Sequence, residues 1–166
     1  PKTRHGQFLL SVDGLYYDSQ VSGVIPVLTE LTDRHKEVKF SEGSKRNQII
    51  RNLSSSIYDY SEALSDLKPN AVVLLGDRYE IFGAAVSAFI NNIPIIHLHG
   101  GELTLSAQDD AFRHSITKMS TLHFVAHEIY RNRVIQLGEN PKRVFCVGPL
   151  VLDNLLKDDF YNKKEV

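Results

Sequence analysis

The sequence predicts an α/β fold, a parallel sheet flanked by helices, and three observations carry that prediction. Short apolar runs alternate with longer segments of helical spacing from Phe8 onward, which is the pattern of a repeated βα unit. Several of the runs are rich in Val and Ile and read as strands buried on both faces. No internal repeat or low-complexity stretch interrupts the alternation. At 166 residues, 42% hydrophobic and 23% charged, the chain has the length of one domain with a sizeable core.

After a polar stretch from Pro1 to Gln7, the run Phe8-Leu9-Leu10-Ser11-Val12 reads as the first strand. Residues Gln20 to Arg34 read as helical, with Pro26 as the one obstacle, and Val38-Lys39-Phe40 as a weak strand. Lys45 to Leu67 places Ile49, Ile50, Leu53, Ile57, Tyr60 and Leu64 near three- and four-residue spacing before Pro69, so it reads as a long amphipathic helix. Strands are expected at Ala71 to Leu75, Pro94 to Leu98, Leu122 to Val125 and Arg143 to Val147, and helices at Arg78 to Asn91 and Glu128 to Leu137. The former helix is mostly apolar and should be buried, and Gly138 closes the latter. The lone cysteine, Cys146, lies within the last strand and is expected as a small buried thiol.

Nineteen Lys and Arg mix with twenty Asp and Glu for a net charge of -1, so no basic stripe favours nucleic acid and no acidic tail suggests disorder. Any anionic ligand must then be caught locally. No apolar run is long enough to span a bilayer or form a secretory core, and one cysteine makes no disulfide framework. The expectation is a cytoplasmic protein without membrane or nucleic-acid partners.

In a sheet whose strands all run the same way, the loops leaving their C-terminal ends gather along one edge, where ligands bind. Those loops begin at Asp13, Asp77, His99, Ala126 and Gly148, and the stretch from His99 to Gln108 is long for such a connection. Asp77 follows Gly76 at the mouth of a helix. It reads either as an N-cap completed by Glu80 in a capping box or as a site carboxylate. His97 and His99 are expected on one face of a strand, followed by a turn on Gly100 and Gly101 that presents Glu102. A metal shell completed by Asp109 and Asp110 is conceivable, yet no second ligand pair of familiar spacing follows. Asp109 and Asp110 open the next helix, where each has an i,i+4 partner, Arg113 and His114. Helix-end electrostatics explain that pair alone. They do not explain why three crossovers each bring a carboxylate to one edge, with Arg78, Arg113, His114 and Lys118 nearby, which is the pattern of an acid–base site with an anion-binding rim.

The segments Gly76-Asp-Arg-Tyr-Glu-Ile81, His97-Leu-His-Gly-Gly-Glu102, Arg113-His-Ser-Ile-Thr-Lys-Met-Ser120, Val134-Ile-Gln-Leu-Gly-Glu139 and Val147-Gly148 resemble, in order and spacing, the bacterial hydrolysing UDP-GlcNAc 2-epimerases of the sialic-acid-pathway type. The resemblance implies one Rossmann-like lobe of a GT-B type two-domain enzyme. Residues 1–155 would be its N-terminal lobe, shortened at the N-terminus, and 156–166 a polar tail or the start of the interlobe connection, with the C-terminal lobe absent. It further implies catalytic residues Asp77, Glu102 and Asp109, substrate-binding residues Arg78, His99, Gly100, Gly101, Arg113 and His114, and neither metal nor cofactor. The implied reaction converts UDP-GlcNAc and water to ManNAc and UDP, by elimination of UDP and then hydration with inversion at C2. The implied partners are the UDP-sugar and further copies of the same protein. Two alternatives are the same reaction on a UDP-2,4-diacetamido-trideoxyhexose and a non-catalytic domain that binds sugar nucleotides.

Overall fold

Seven strands form a single sheet in the order β3-β2-β1-β4-β5-β6-β7 in a computed structural model that describes residues 8–12, 24–29, 35–39, 46–104 and 108–149. In chain order the elements are β1 (Phe8–Val12), β2 (Val24–Thr29), β3 (His35–Lys39), α1 (Arg46–Leu67), β4 (Ala71–Leu75), α2 (Tyr79–Ile90), β5 (Ile95–Leu98), α3 (Gln108–Met119), β6 (Leu122–Val125), α4 (Glu128–Gln136) and β7 (Val144–Cys146). The run β1-β4-β5-β6-β7 is parallel throughout. Each of its connections after β4 carries a helix, as a parallel crossover requires.

Two expectations fail at β2. The Gln20 to Arg34 stretch holds a strand instead of a helix, and that strand runs antiparallel to both β1 and β3, so the strands do not all run the same way. Only residues 30–34 separate β2 from β3, a connection too short for a parallel return. Pro26 is accommodated because β1 pairs with Val27 to Thr29, which leaves Pro26 facing only its β3 partner Glu37.

The main core joins α1, α2 and β4 through Tyr60, Leu64, Leu67, Val72, Leu74, Ile81, Ala84, Ala85 and Ala88, with Ile95 and Ile116 from β5 and α3. Helix α1 buries Asn52, Ser56, Tyr60, Ala63, Leu64 and Leu67, whereas Ile50 is exposed. Close contact explains the polar members of this stripe. A Cβ on Gly83 would stand 2.4 Å from the Ser56 hydroxyl, and the Ser87 hydroxyl donates to the Ile57 carbonyl at 2.5 Å. Small side chains thus let the two helices approach. Helix α4 ends as expected on Gly138 (φ 97°), with Gly138 N–H donating to the Ile135 carbonyl and Glu139 N–H to that of Val134, the paired bonds of a Schellman cap.

Cys146 is exposed, against the expectation of a buried thiol. It lies on β7, the last strand of the order, where Val144 is buried but Phe145 and Cys146 are not. Phe145 instead stacks on Phe124 of β6, ring centres 5.3 Å apart. Among the described residues no helix is long and apolar enough to cross a membrane.

Candidate active site

The C-terminal ends of β4 and β5 carry the expected residues, and a cation from α3 ties them together. Beyond Leu75 the chain turns on Gly76, whose φ of 109° suits glycine. Asp77 does not cap α2. The N-cap is Arg78, it makes no side-chain cap bond, and the Asp77 carboxylate pairs with the Arg113 guanidinium. The capping-box reading of Asp77 is therefore not borne out.

Arg113 is buried, its side chain 7% exposed. Besides Asp77 it donates to the Glu102 carbonyl at 2.8 Å, the Thr104 hydroxyl at 2.9 Å and the Asp110 carboxylate at 3.3 Å. One side chain thereby joins both crossover loops to the first turn of α3. Burial pushes its pKa down, with Arg133 adding repulsion, and the facing carboxylates offset the cost of burying its charge.

His97 and His99 part company where β5 ends at Leu98. His97 is fully buried, with Nε2 3.4 Å from the Gly76 carbonyl and Nδ1 3.2 Å from the Thr117 hydroxyl. The Thr117 hydroxyl itself donates to the Arg113 carbonyl at 3.0 Å, which links His97 to α3. Burial drives the pKa of His97 down to about 3, so the ring is neutral. His99 instead turns into the left-handed region at φ 61°, its N–H held by the Phe124 carbonyl at 2.9 Å and its Nδ1 2.9 Å from Glu102 Oε1. The two histidines do not share a face, because strand alternation stops one residue before His99.

Gly100 and Gly101 are buried, and the protein itself fills the space a side chain would need. A Cβ on Gly100 would meet His97 Nδ1 at 3.0 Å and Thr117 Oγ1 at 3.2 Å. One on Gly101, which has φ 80°, would come within 2.4 Å of the Tyr130 carbonyl and 2.9 Å of Val134. Arg133 of the same helix donates to the Gly101 carbonyl and lies over the Tyr130 ring. Helix α4 thus forms the back wall of the glycine turn.

At the start of α3, Arg113 is held by Asp110 at i,i+3, and no ion pair joins it to Asp109 among the described residues. His114 approaches Asp110 at 3.6 Å, and its other ring nitrogen is buried without a hydrogen bond. Asp109 is half-buried in the first turn. Arg78, at the mouth of α2, is half exposed and bonds Glu80 at 3.0 Å. Lys118 lies in the last turn of α3 and pairs with Glu139 at 2.5 Å, so it joins α3 to the end of α4, not to the loops. Thr104, Thr117 and Arg133 are the participants that spacing did not single out, whereas Asp110, expected as the i,i+4 partner of His114, also holds Arg113. Among the described residues no group of three or more His, Cys, Asp or Glu is placed to hold a metal ion, and the loop from Asp13 lies outside the described residues.

Comparison with known proteins adds relatives to this geometry. The family described as UDP-N-acetylglucosamine 2-epimerase matches residues 10–166. A GDP/UDP-N,N'-diacetylbacillosamine 2-epimerase (hydrolyzing) from Campylobacter jejuni is 50% identical over 118 residues, covering 71% of this chain and 31% of that protein. The polysialic acid biosynthesis protein P7 of Escherichia coli is 39% identical over 164 residues, covering 96% of this chain and 41% of its own length. The chain thus spans less than half the length of these relatives. Among solved structures, UDP-GlcNAc 2-epimerase from Neisseria meningitidis bound to UDP-GlcNAc superposes with a TM-score of 0.63 at 27% identity, covering 68% of this chain and 32% of that one. The Methanocaldococcus jannaschii enzyme, in complex with UDP-GlcNAc and UDP, superposes at 0.66 and 20% identity over 75% of this chain and 34% of that one. The fold is that of a Rossmann-like lobe of GT-B type.

Proposed function

This chain belongs to the UDP-N-acetylglucosamine 2-epimerase family, and we propose that it serves as the N-terminal lobe of a hydrolysing 2-epimerase that converts UDP-GlcNAc and water to ManNAc and UDP. The observation that carries the reading is the gathering of the Asp77 and Asp110 carboxylates and the Glu102 carbonyl around one buried arginine at the ends of β4 and β5, with Asp109 in the same first turn of α3.

In the first half of the proposed reaction the C1–O bond to UDP breaks and its electron pair leaves with the diphosphate. The C2–H proton passes to a base, and a C1=C2 double bond remains. In the second half water supplies hydroxide to C1 and a proton is delivered to the opposite face of C2. No electrons are gained or lost overall, so the chemistry needs no redox cofactor. The C2 proton is weakly acidic, so departure of UDP must run ahead of its removal and leave positive charge on the ring. Asp77, fixed beside Arg113, supplies a negative charge that needs no reorganisation as that ring charge develops. Arg78, exposed at the N-terminal end of α2, supplies a cation where the helix dipole also favours the negative diphosphate.

A second reading, UDP-N,N'-diacetylbacillosamine as substrate, is favoured by the higher identity to the Campylobacter enzyme than to the polysialic-acid protein. Proton NMR of the protein carrying this lobe, in deuterated water with each sugar nucleotide in turn, tests both. The expected result is UDP and a 2-epimerised sugar deuterated at C2 from one of them. Release of neither product from either substrate would sink the epimerase assignment. Two further parts of the proposal are work in the cytoplasm, where UDP-sugars are drawn upon, and self-association, supported by the exposed Phe89 and Ile90 at the end of α2. Light scattering that gives a monomer would remove the latter.

A further inference from the structure

We propose that His99, with Glu102 orienting it, is a catalytic acid–base of this site and not only a group that contacts substrate. The inference rests on the epimerase reading and assigns it a proton carrier. Inversion at C2 takes a proton from one face of the sugar and returns one to the other, so two separate groups must handle protons. Asp77 and Asp110 are poorly suited, because the buried Arg113 already occupies both. His99 is differently placed.

Its Nδ1 lies 2.9 Å from Glu102 Oε1, and a carboxylate accepts without donating, so Nδ1 carries the proton and Nε2 presents a lone pair. That is how a carboxylate fixes the tautomer and direction of an imidazole. No hydrogen bond or ion pair engages Nε2 among the described residues, and the side chain is 26% exposed. The backbone is held as firmly as the ring. The φ of 61° is uncommon outside glycine, and the His99 N–H is fixed to the Phe124 carbonyl of β6 at 2.9 Å. The loop thus holds a bulky residue in a disfavoured conformation at the strand end where the site lies, while His97 two residues earlier is sealed in the core.

In the proposed step Nε2 takes the C2 proton as the C1–O bond to UDP breaks. The imidazolium that forms is stabilised by Glu102, and its proton exchanges with water before the next turnover. Two variants in the full protein carrying this lobe test the idea. His99→Asn tolerates the left-handed backbone and keeps an N–H for Glu102 but removes the base. His99→Gly accepts the same φ without strain and leaves room for added imidazole. The expected result for His99→Asn is a fall of about 10²–10⁴-fold in kcat for UDP release and C2 deuteration together, with KM nearly unchanged. For His99→Gly, imidazole should restore turnover at least about tenfold over the unsupplemented variant, as expected when a missing general base is replaced. A kcat for His99→Asn within about threefold of wild type, or a loss confined to KM, overturns the proposal because it shows a binding role alone. Wild-type inactivity on both sugar nucleotides would instead bring down the epimerase reading beneath it, which the parallel wild-type assay distinguishes.

Discussion

His97 and His99 stand two residues apart on one crossover and have opposite circumstances. His97 is shut inside the sheet, both ring nitrogens engaged with Gly76 and Thr117, its charged form suppressed by burial. His99 has one nitrogen held by a carboxylate, a twisted backbone and a quarter of its side chain open. The same division runs through the whole edge. A buried layer of His97, Thr117, Gly101 and Arg113 fixes the loops, and a rim of His99, Glu102 and Asp109 keeps exposed polar atoms. Residue type does not separate the layers, since each holds a histidine; position relative to the strand end does.

The sharpest way to break the division is at Arg113. Arg113→Met leaves the Asp77 carboxylate and the Glu102 carbonyl without their Arg113 donor and weakens the hold on Asp110, and should cost about 3–5 kcal/mol in denaturant unfolding. Wild-type stability for that variant would mean the two loops are not held through one cation. Gly101→Ala comes next. Its Cβ would sit 2.4 Å from the Tyr130 carbonyl in a backbone that disfavours alanine, and a loss of about 3 kcal/mol is expected from overlap and strain together; a thermal shift of less than a degree would show that α4 gives way freely.

Acid distinguishes the layers further. The pKa of His97 falls from 6.5 in the unfolded chain to about 3 in the fold, so between those values the unfolded chain binds the extra proton. Stability is therefore full above pH 6.5 and declines as pH drops toward 3, by roughly 2 kcal/mol at pH 5. His123, lowered by the same burial, adds to this slope. Unfolding of His97→Gln at both pH values should give a flatter dependence, and an unchanged slope would assign the acid sensitivity elsewhere. At the rim, Asp109→Asn should alter stability by no more than about 0.5 kcal/mol while lowering turnover, and a large stability loss would move Asp109 into the holding layer. Least of all, alkylation of the exposed Cys146 should proceed on the native protein without shifting its melting temperature.

The sequence made the parallel run readable because the strands from β4 onward are mostly apolar and two of the helices are punctuated, by Pro69 after α1 and Gly138 after α4. It misled where a local signal depends on neighbours. Pro26 counts against a helix and against an interior strand alike, and only the short span of the β1 ladder shows why a strand tolerates it. Cys146 reads as core because its neighbours are apolar, yet an edge strand buries only one of its three residues. That Asp77 and Glu102 lie at the ends of β4 and β5 was legible. That Arg113 faces inward was not, since a guanidinium at a rim and one in a clamp have the same letter.

The contact between Gly101 and α4 also constrains how such a lobe diverges. With the Tyr130 carbonyl and the Val134 side chain pressed on the turn, a lineage that enlarges the residue at 134 must shift the whole helix and carry the turn with it. Positions 101 and 134 should consequently drift as a linked pair, and grafting this loop onto another scaffold should succeed only when α4 travels with it.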